Sequence, residues 1–398
     1  MRILIVHANA TIIGGAELYL RSAIHELVRR GHEVGLLHEH ASRRENAILD
    51  SGFRTWSADL GSERITRELT EWGPSVLYFN LWRLPLLESA LIGRYPSIYF
   101  AHDYSRSCPT GSKCYAFPSD QPCFRVAGPA CLALHYPRRC GGLNPVTAWQ
   151  QLRRQSEQVR LLARHCAVIA GSRHMLEELS HHGVDRSRLH LAPLFPTEFS
   201  PDSHPPDARE PQGKLLMVGR LVPLKGTRNL IQALPLVTAR LPFRVSLTVA
   251  GRGPEEPYLR RLARSLNADV EFIGWAERDQ LDALRRDSDL SLTPSLWPEP
   301  FGLSGLEAGC VGLPSVAYAS GGVLDWLIPG QSGELAPADP PTPVGLADAI
   351  VRALSDSSHY QRLRRGAWEV AKRFSIGAHV SKLETIMEQV ANADKVCT

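Results

Sequence analysis

Two carboxylates eight residues apart stand in the segment Trp297-Pro298-Glu299-Pro300-Phe301-Gly302-Leu303-Ser304-Gly305-Leu306-Glu307-Ala308. Pro and Gly surround the first, and the spacing predicts a helix that carries the second about two turns along it. The N–H groups of Phe301, Gly302, Leu303 and Ser304 would then be free donors at the positive end of a helix dipole, where phosphate is received. Glu299 and Glu307, on either side, can accept hydroxyl hydrogen bonds from a sugar and a ribose. A surface-loop glutamate and a helix-face charge would be the plain alternative. The flanking prolines and glycine favour the binding reading, which suits a nucleotide-sugar diphosphate. A second set lies in Val218-Gly219-Arg220-Leu221-Val222-Pro223-Leu224-Lys225-Gly226. Arg220 and Lys225 fall between an apolar run and a helical one, hence at the carboxyl end of a sheet, where such folds bind ligands. Only six of the 45 basic residues are lysine, so a lysine here is notable. Two cations could neutralise a departing diphosphate; taken alone, a solvated basic loop reads equally well.

Glycine pairs recur after strands, as Gly14-Gly15 and as Gly251-Arg252-Gly253. Neither completes a dinucleotide fingerprint: a third glycine is missing, Pro254 interrupts one, and no acidic residue closes the second strand. Those gaps count against a nicotinamide dehydrogenase. A Gly-Gly turn before Ala16-Glu17 still permits close backbone approach to a ligand. Asp287-Ser288-Asp289 spells a metal-binding D-x-D, but it precedes an apolar strand and reads as a helix-to-strand turn.

These loops need a scaffold, and the chain has the composition for one. It is 43% hydrophobic and 22% charged, which excludes general disorder, collagen and a disulfide miniprotein. No uncharged apolar run reaches about 18 residues, the length that spans a bilayer, and MRILIVHANA reads as a first strand rather than a leader, so the chain is expected in the cytoplasm. Apolar runs Ile3–His7, Val34–Leu37, Val76–Phe79, Ile98–Ala101 and Cys166–Ala170 alternate with helix-period segments. After the proline-rich stretch Pro196–Pro206 the alternation restarts with Lys214–Val218, Arg244–Ala250, Glu271–Gly274, Leu290–Thr293 and Ser315–Tyr318. The expectation is α/β: two doubly wound Rossmann-like domains facing across a cleft. The N-terminal domain would span 1–195, the C-terminal domain 196–375, and a final helix 376–398 would return to the first. Net charge is +4, too small to argue for nucleic acid. Residues 1–195 carry 23 basic and 17 acidic side chains, the remainder 22 and 24. Arg106–Arg164 holds nine basic residues against Asp120 and Glu157. It reads as a solvated basic face or as a surface for anionic lipid.

In order and spacing these fragments resemble the family-4 glycosyltransferases of the GT-B fold, retaining enzymes that use nucleotide-sugar donors. The resemblance runs through Gly14-Gly15-Ala16-Glu17, His102-Asp103, Gly219-Arg220 with Lys225-Gly226, Gly251-x-Gly253-Pro254, Phe272-x-Gly274, the Glu299/Glu307 pair, and Gly321-Gly322 before Asp325-Trp326-Leu327. Ser304 departs from the pattern, in which an aliphatic residue is common. The resemblance implies that Arg220 and Lys225 bind the diphosphate, with Gly219 beside them, and that Glu299 holds donor-sugar hydroxyls beside the amides of Phe301, Gly302 and Leu303. It puts Glu307 on the ribose, Ile273 against the base with Arg252 nearby, Gly15 near the phosphate, and His102 facing the reacting sugar from the acceptor side. It further implies a UDP- or GDP-sugar donor, no cofactor or metal in catalysis, and a glycan or lipid-linked acceptor in cell-surface polysaccharide or glycolipid synthesis, peripheral at the inner membrane face. A small natural-product acceptor is the alternative for the transferase, and a nucleotide-sugar epimerase of the same architecture is the rival from a second function class.

Five of eight cysteines (Cys108, Cys114, Cys123, Cys131, Cys140) fall in the Pro- and Gly-rich stretch 103–145. Their spacing lacks a C-x2-C knuckle, so a structural zinc on Cys108, Cys123, Cys131 and Cys140 and a set of inert thiols both stay open. Cys166, Cys310 and Cys397 read as isolated core or tail residues.

Overall fold

The computed structural model describes residues 1–40, 47–49 and 52–393. Near-continuous apolar runs, buried on both faces, form two parallel sheets. The first takes β1 (Arg2–Asn9), β2 (Glu33–His40), β3 (Arg54–Ser57), β4 (Val76–Asn80), β5 (Ser97–Ala101), β8 (Ala167–Ala170) and β9 (Leu189–Leu191), in the order β3-β2-β1-β4-β5-β8-β9. A small antiparallel hairpin, β6 (Cys114–Tyr115) and β7 (Gln121–Pro122), lies in the insertion between β5 and β8. The second sheet runs β12 (Val270–Gly274), β11 (Ser246–Ala250), β10 (Lys214–Val218), β13 (Leu290–Thr293), β14 (Ser315–Tyr318) and β15 (Gly333–Ala336). Two Rossmann-like domains are thus present, as expected. Strands β3, β9 and β15 are short, and each lies at a sheet edge, so their hydrophobic signal was too weak to read.

Both sheets reverse direction between their first and fourth strands, β1/β4 and β10/β13. Loops leaving the carboxyl ends of those neighbours diverge and open a crevice. The helix Ile376–Ala391 packs on helix Gly15–Arg29 and against β4 and β5, so the chain's last described helix does return to the first domain. Val380, Leu383 and Met387, four or so residues apart, are fully buried there. His379 accepts the Tyr19 hydroxyl at 2.7 Å on Nε2, while its Nδ1–H donates to the Pro193 carbonyl at 2.8 Å. Its last expected turn and Cys397 lie outside the described residues. Cys310 is buried, as read from the sequence; Cys166 is only half-buried and is disulfide-bonded, which corrects its reading as an isolated core thiol. Asp287-Ser288-Asp289 is the helix-to-strand turn expected: Asp289 is buried and accepts the N–H groups of Gln212 and Lys214.

If the last helix is part of the first domain's core, Leu383→Ala should cost roughly 2–4 kcal/mol. Urea unfolding followed by tryptophan fluorescence measures it; a loss below about 1 kcal/mol would contradict the docking.

Candidate functional site

Lys225 ends the loop after β10 and Glu299 sits in the loop after β13, so the two flank the second sheet's reversal point. Their side chains meet: Lys225 Nζ donates to Glu299 Oε1 at 2.6 Å, and the Ser295 hydroxyl donates to the same oxygen. Glu299 is 5% exposed. Burial pushes its carboxyl up, but the Lys225 charge and these hydrogen bonds outweigh that and hold it below the ordinary range. The pair was legible only as two separate candidates. Its consequence is that Lys225 is the countercharge of Glu299 before any ligand arrives.

The backbone around Glu299 is fixed from both domains. Gly322 N–H donates to the Glu299 carbonyl at 2.6 Å, and Gly321 takes φ +74° where a Cβ would lie 2.4 Å from that oxygen. Only glycine tolerates both demands. From the first domain the Tyr104 hydroxyl donates to the Pro298 carbonyl and the Ser172 hydroxyl to the Pro300 carbonyl, each at 2.6 Å. Arg173 N–H donates to Asp325. Phe301 is buried against Phe374, and Gly302 caps the helix Leu303–Gly309 at φ +83°. Among the described residues the N–H groups of Phe301, Gly302 and Leu303 have no acceptor within the chain.

Arg220 and Arg252 are exposed, and neither side chain joins an ion pair among the described residues. Gly219 and Gly251 bring their loops together: a Cβ on Gly251 would lie 1.9 Å from the Gly219 carbonyl, and one on Gly253 would lie 2.2 Å from that of Leu221. The Gly251-x-Gly253 pair therefore serves backbone packing between adjacent loops. Arg252 lies beside Gly274, next to half-buried Ile273. Ile273, Arg252, Arg220, Lys225 and Glu299 thus follow the strand order β12-β11-β10-β13 along one carboxyl edge.

Glu307 is placed differently from a free ribose acceptor. One oxygen accepts the Thr197 hydroxyl at 3.2 Å and the other accepts Arg285 Nη2 at 2.8 Å. Arg285 is itself buried, its guanidinium 3.9 Å from the Phe199 ring centre. Glu307 ties its helix to the interdomain linker, and each oxygen keeps one lone pair for a ligand.

On the facing domain, His102 follows β5. Its Nε2–H donates to Asn80 Oδ1 at 2.8 Å, because the Asn80 amide nitrogen is used on the Tyr78 carbonyl. The ring packs against Phe100 and Tyr19. Burial, with a smaller contribution from His7, pushes His102 down to about 3, so a neutral imidazole with bare Nδ1 is held there. Gly15 is exposed at the start of its helix. Gly14 before it is fixed by Glu17, whose carboxylate accepts Gly14 N–H at 2.9 Å, Asn9 Nδ2 at 3.2 Å and His7 Nε2 at 3.0 Å. His7 reaches the Asn80 carbonyl with its other nitrogen, so the network joins the Gly-Gly loop to His102. Sequence reasoning passed over His7, Asn80, Tyr104, Ser172 and Arg285. Glu17 three residues after Gly14 did carry a signal, the glutamate of a capping box. The five cysteines of the insertion gather on one small cavity, apart from this edge.

Comparison with known proteins then adds context. Residues 13–195 match the model described as Glycosyltransferase Family 4, and residues 200–370 the one described as Glycosyl transferases group 1. Glycogen synthase of Mycobacterium tuberculosis is 38% identical over 167 residues, 40% of this chain and 39% of that protein. D-inositol 3-phosphate glycosyltransferase 2 of Catenulispora acidiphila is 40% identical over 160 residues, 36% of each. The matched segment thus spans about two fifths of these curated relatives. Among solved structures, sucrose-phosphate synthase of Thermosynechococcus elongatus superposes with TM-score 0.72 at 21% identity over 98% of both chains. Anabaena HepE, solved with UDP and glucose, gives 0.67 at 19% identity over 98% of this chain and all of that one.

Two outcomes follow from the charges. Lys225→Met leaves Glu299 buried without its countercharge and should cost about 2–4 kcal/mol, with much of it restored in Lys225→Met/Glu299→Gln; additive losses in urea unfolding would deny the pairing. For Glu17, burial raises the carboxyl, yet the His7 and Asn9 hydrogen bonds prevail and lower it from 4.5 to about 2. A depressed folded value stabilises above the unfolded one, so on the order of 3 kcal/mol should be lost as pH falls from about 4.5 to 2. Melting temperatures of Glu17→Gln against the parent should converge across that window; a constant gap would refute it.

Proposed function

Since this chain belongs to the family-4 glycosyltransferases and has the GT-B fold, we propose that it moves a sugar from a UDP- or GDP-sugar to an acceptor hydroxyl with retention of anomeric configuration and without a catalytic metal. The observation that carries this is the Lys225–Glu299 pair at the sheet reversal, with unpaired Arg220 earlier in the same loop as Lys225. A diphosphate arriving there meets Arg220 directly and draws Lys225 from Glu299, which frees the carboxylate to accept donor-sugar hydroxyls. The complex of Anabaena HepE with UDP and glucose supports a donor of this class.

In the proposed reaction the bond between the anomeric carbon and the β-phosphate oxygen breaks while the bond to the acceptor oxygen forms on the same face. The acceptor proton passes to the leaving diphosphate. Such a step needs charge stabilisation on the leaving group more than a strong protein base. A neutral His102 suits it: the bare Nδ1 accepts a hydroxyl hydrogen bond and adds no positive charge. Arg252 and Ile273, farther along the edge, would meet the base, and Glu307 the ribose with its remaining lone pairs.

The acceptor is read as lipid-linked, on the strength of the insertion's surface. Phe117, Phe124, Val126, Leu143, Val146 and Trp149 are all exposed, Phe124 by 69% and Leu143 by 83%. Exposed Arg139 and Arg153 lie over the Phe117 and Trp149 rings. Aromatic side chains with arginine over them fit an anionic lipid–water interface. No helix among the described residues is long and apolar enough to cross a membrane.

Calorimetric titration with UDP, GDP and ADP tests the donor site. One nucleotide should bind, and Arg220→Ala should weaken it by roughly 10- to 100-fold; equal affinity in the variant, or no binding, would overturn the reading. Arg220 is unpaired, so this variant leaves the Glu299 charge balance intact. Vesicles containing phosphatidylglycerol should pull the protein down, and vesicles of phosphatidylcholine alone should not. Equal or absent association would remove the lipid-linked acceptor and leave the small-molecule alternative.

A further inference from the structure

Drawing Lys225 from Glu299, as the proposed donor binding requires, would strand a carboxylate that is 5% exposed. Removing one partner of a buried pair leaves an uncompensated charge, so another donor must stand by. The Ser295 hydroxyl already donates to Glu299 Oε1, the same oxygen that Lys225 holds. One hydroxyl is a thin replacement for an ammonium group.

Two residues before Glu299, the Trp297 indole nitrogen is buried and has no acceptor among the described residues. An indole N–H can only donate, and a buried one is normally paired. The ring itself is well seated. It stands edge-on to Tyr104, with centres 5.7 Å apart, and packs on the first domain's apolar core. The Tyr104 hydroxyl holds the intervening Pro298 carbonyl at 2.6 Å, which fixes the backbone between Trp297 and Glu299. Lys225 marks how near the indole is to the carboxylate: its Nζ lies 2.6 Å from Glu299 Oε1 and 5.6 Å from the Trp297 ring centre. Burial raises the Glu299 carboxyl, and Lys225, Ser295 and Trp297 in turn lower it. The N–H is thus close enough to act on the carboxylate, yet makes no hydrogen bond while Lys225 is there.

We propose that Trp297 is a positioning residue for Glu299: when Lys225 turns to a diphosphate, the indole N–H closes on the carboxylate and takes the lysine's place. The inference rests on the donor-binding mode proposed above. The exchange replaces a cation by a neutral donor, so the carboxylate stays ionised while the lysine's charge serves the leaving group. It also keeps Glu299 available to a sugar. A carboxylate has about four acceptor sites, and Ser295 and Trp297 would use two of them. No proton is transferred and no covalent bond changes in this step.

The chain has eight tryptophans, and the indole N–H resonance missing from Trp297→Phe identifies the one concerned. At about pH 8, where carboxylates are ionised, Lys225→Met should move that resonance downfield without any ligand. Lys225→Met/Glu299→Ala should not move it. In urea unfolding, Trp297→Phe should lower the midpoint more in the Lys225→Met background than in the parent, because only there is the N–H bonded. UDP or GDP, whichever binds, should give the parent the same downfield shift, and Glu299→Ala should abolish it. An unmoved resonance in Lys225→Met would overturn the proposal, as would equal midpoint losses in the two backgrounds. So would a nucleotide-induced shift that survives Glu299→Ala, which would put the N–H on the ligand itself. If neither nucleotide binds, the donor reading fails, and the Lys225→Met comparison still decides the role of Trp297. If Lys225→Met does not fold, the nucleotide-induced shift in the parent decides instead.

Discussion

A carboxylate removed from water must have a countercharge or take up a proton, and Glu299 meets that demand with Lys225 at 2.6 Å. Much of the architecture follows from this pair. Lys225 is at the end of one loop and Glu299 in another, so the loops after β10 and β13 are tied across the reversal of the sheet. The Glu299 loop is then clamped by Gly321-Gly322 from its own domain and by Tyr104 and Ser172 from the other. In the donor-binding mode proposed above, an incoming diphosphate would compete for Lys225 and release the Glu299 carboxylate toward hydroxyls in the same step.

The glycines make this edge physically accessible. At Gly251 and Gly253 one loop approaches its neighbour so closely that a methyl group would overlap the carbonyl oxygen of Gly219 or Leu221. Side chains are thus removed from the space over the sheet's carboxyl edge, while Arg220 and Arg252 project from it. The same device serves the first domain, where Gly14-Gly15 opens a helix and Glu17 absorbs the freed Gly14 N–H. In both domains, small residues sit where the proposed donor would approach the backbone.

Most of the fold was legible because parallel strands buried on both faces write themselves as apolar runs; β1, β4, β5, β10 and β13 were all found that way. Short edge strands have few buried positions and left no such trace. At the site, Glu299, Arg220 and Lys225 were readable from residue type, loop position and spacing. Their partners were not. Tyr104, Ser172 and Arg285 act on backbone carbonyls or on Glu307 from 22 to nearly 200 positions away, and no local pattern encodes a contact of that range. Glu307 shows the limit most clearly: its helical spacing was right, but its ties to Thr197 and Arg285 depend on how the linker packs.

The insertion after β5 has to satisfy two surfaces at once. Its base is pinned by buried ion pairs, Arg106 to Glu88 and Lys113 to Glu178, and by the contact of Tyr104 with the Glu299 loop. Its rim presents exposed aromatics and arginines to whatever brings the acceptor. A segment with so little apolar core takes its position from these ties at its base. The acceptor side and the donor loop are then held in register by one small unit. Changes in the insertion's interior should alter acceptor use before they alter nucleotide affinity, because in the proposed mode the nucleotide would lie along β12, β11 and β10, while the insertion reaches the loop after β13.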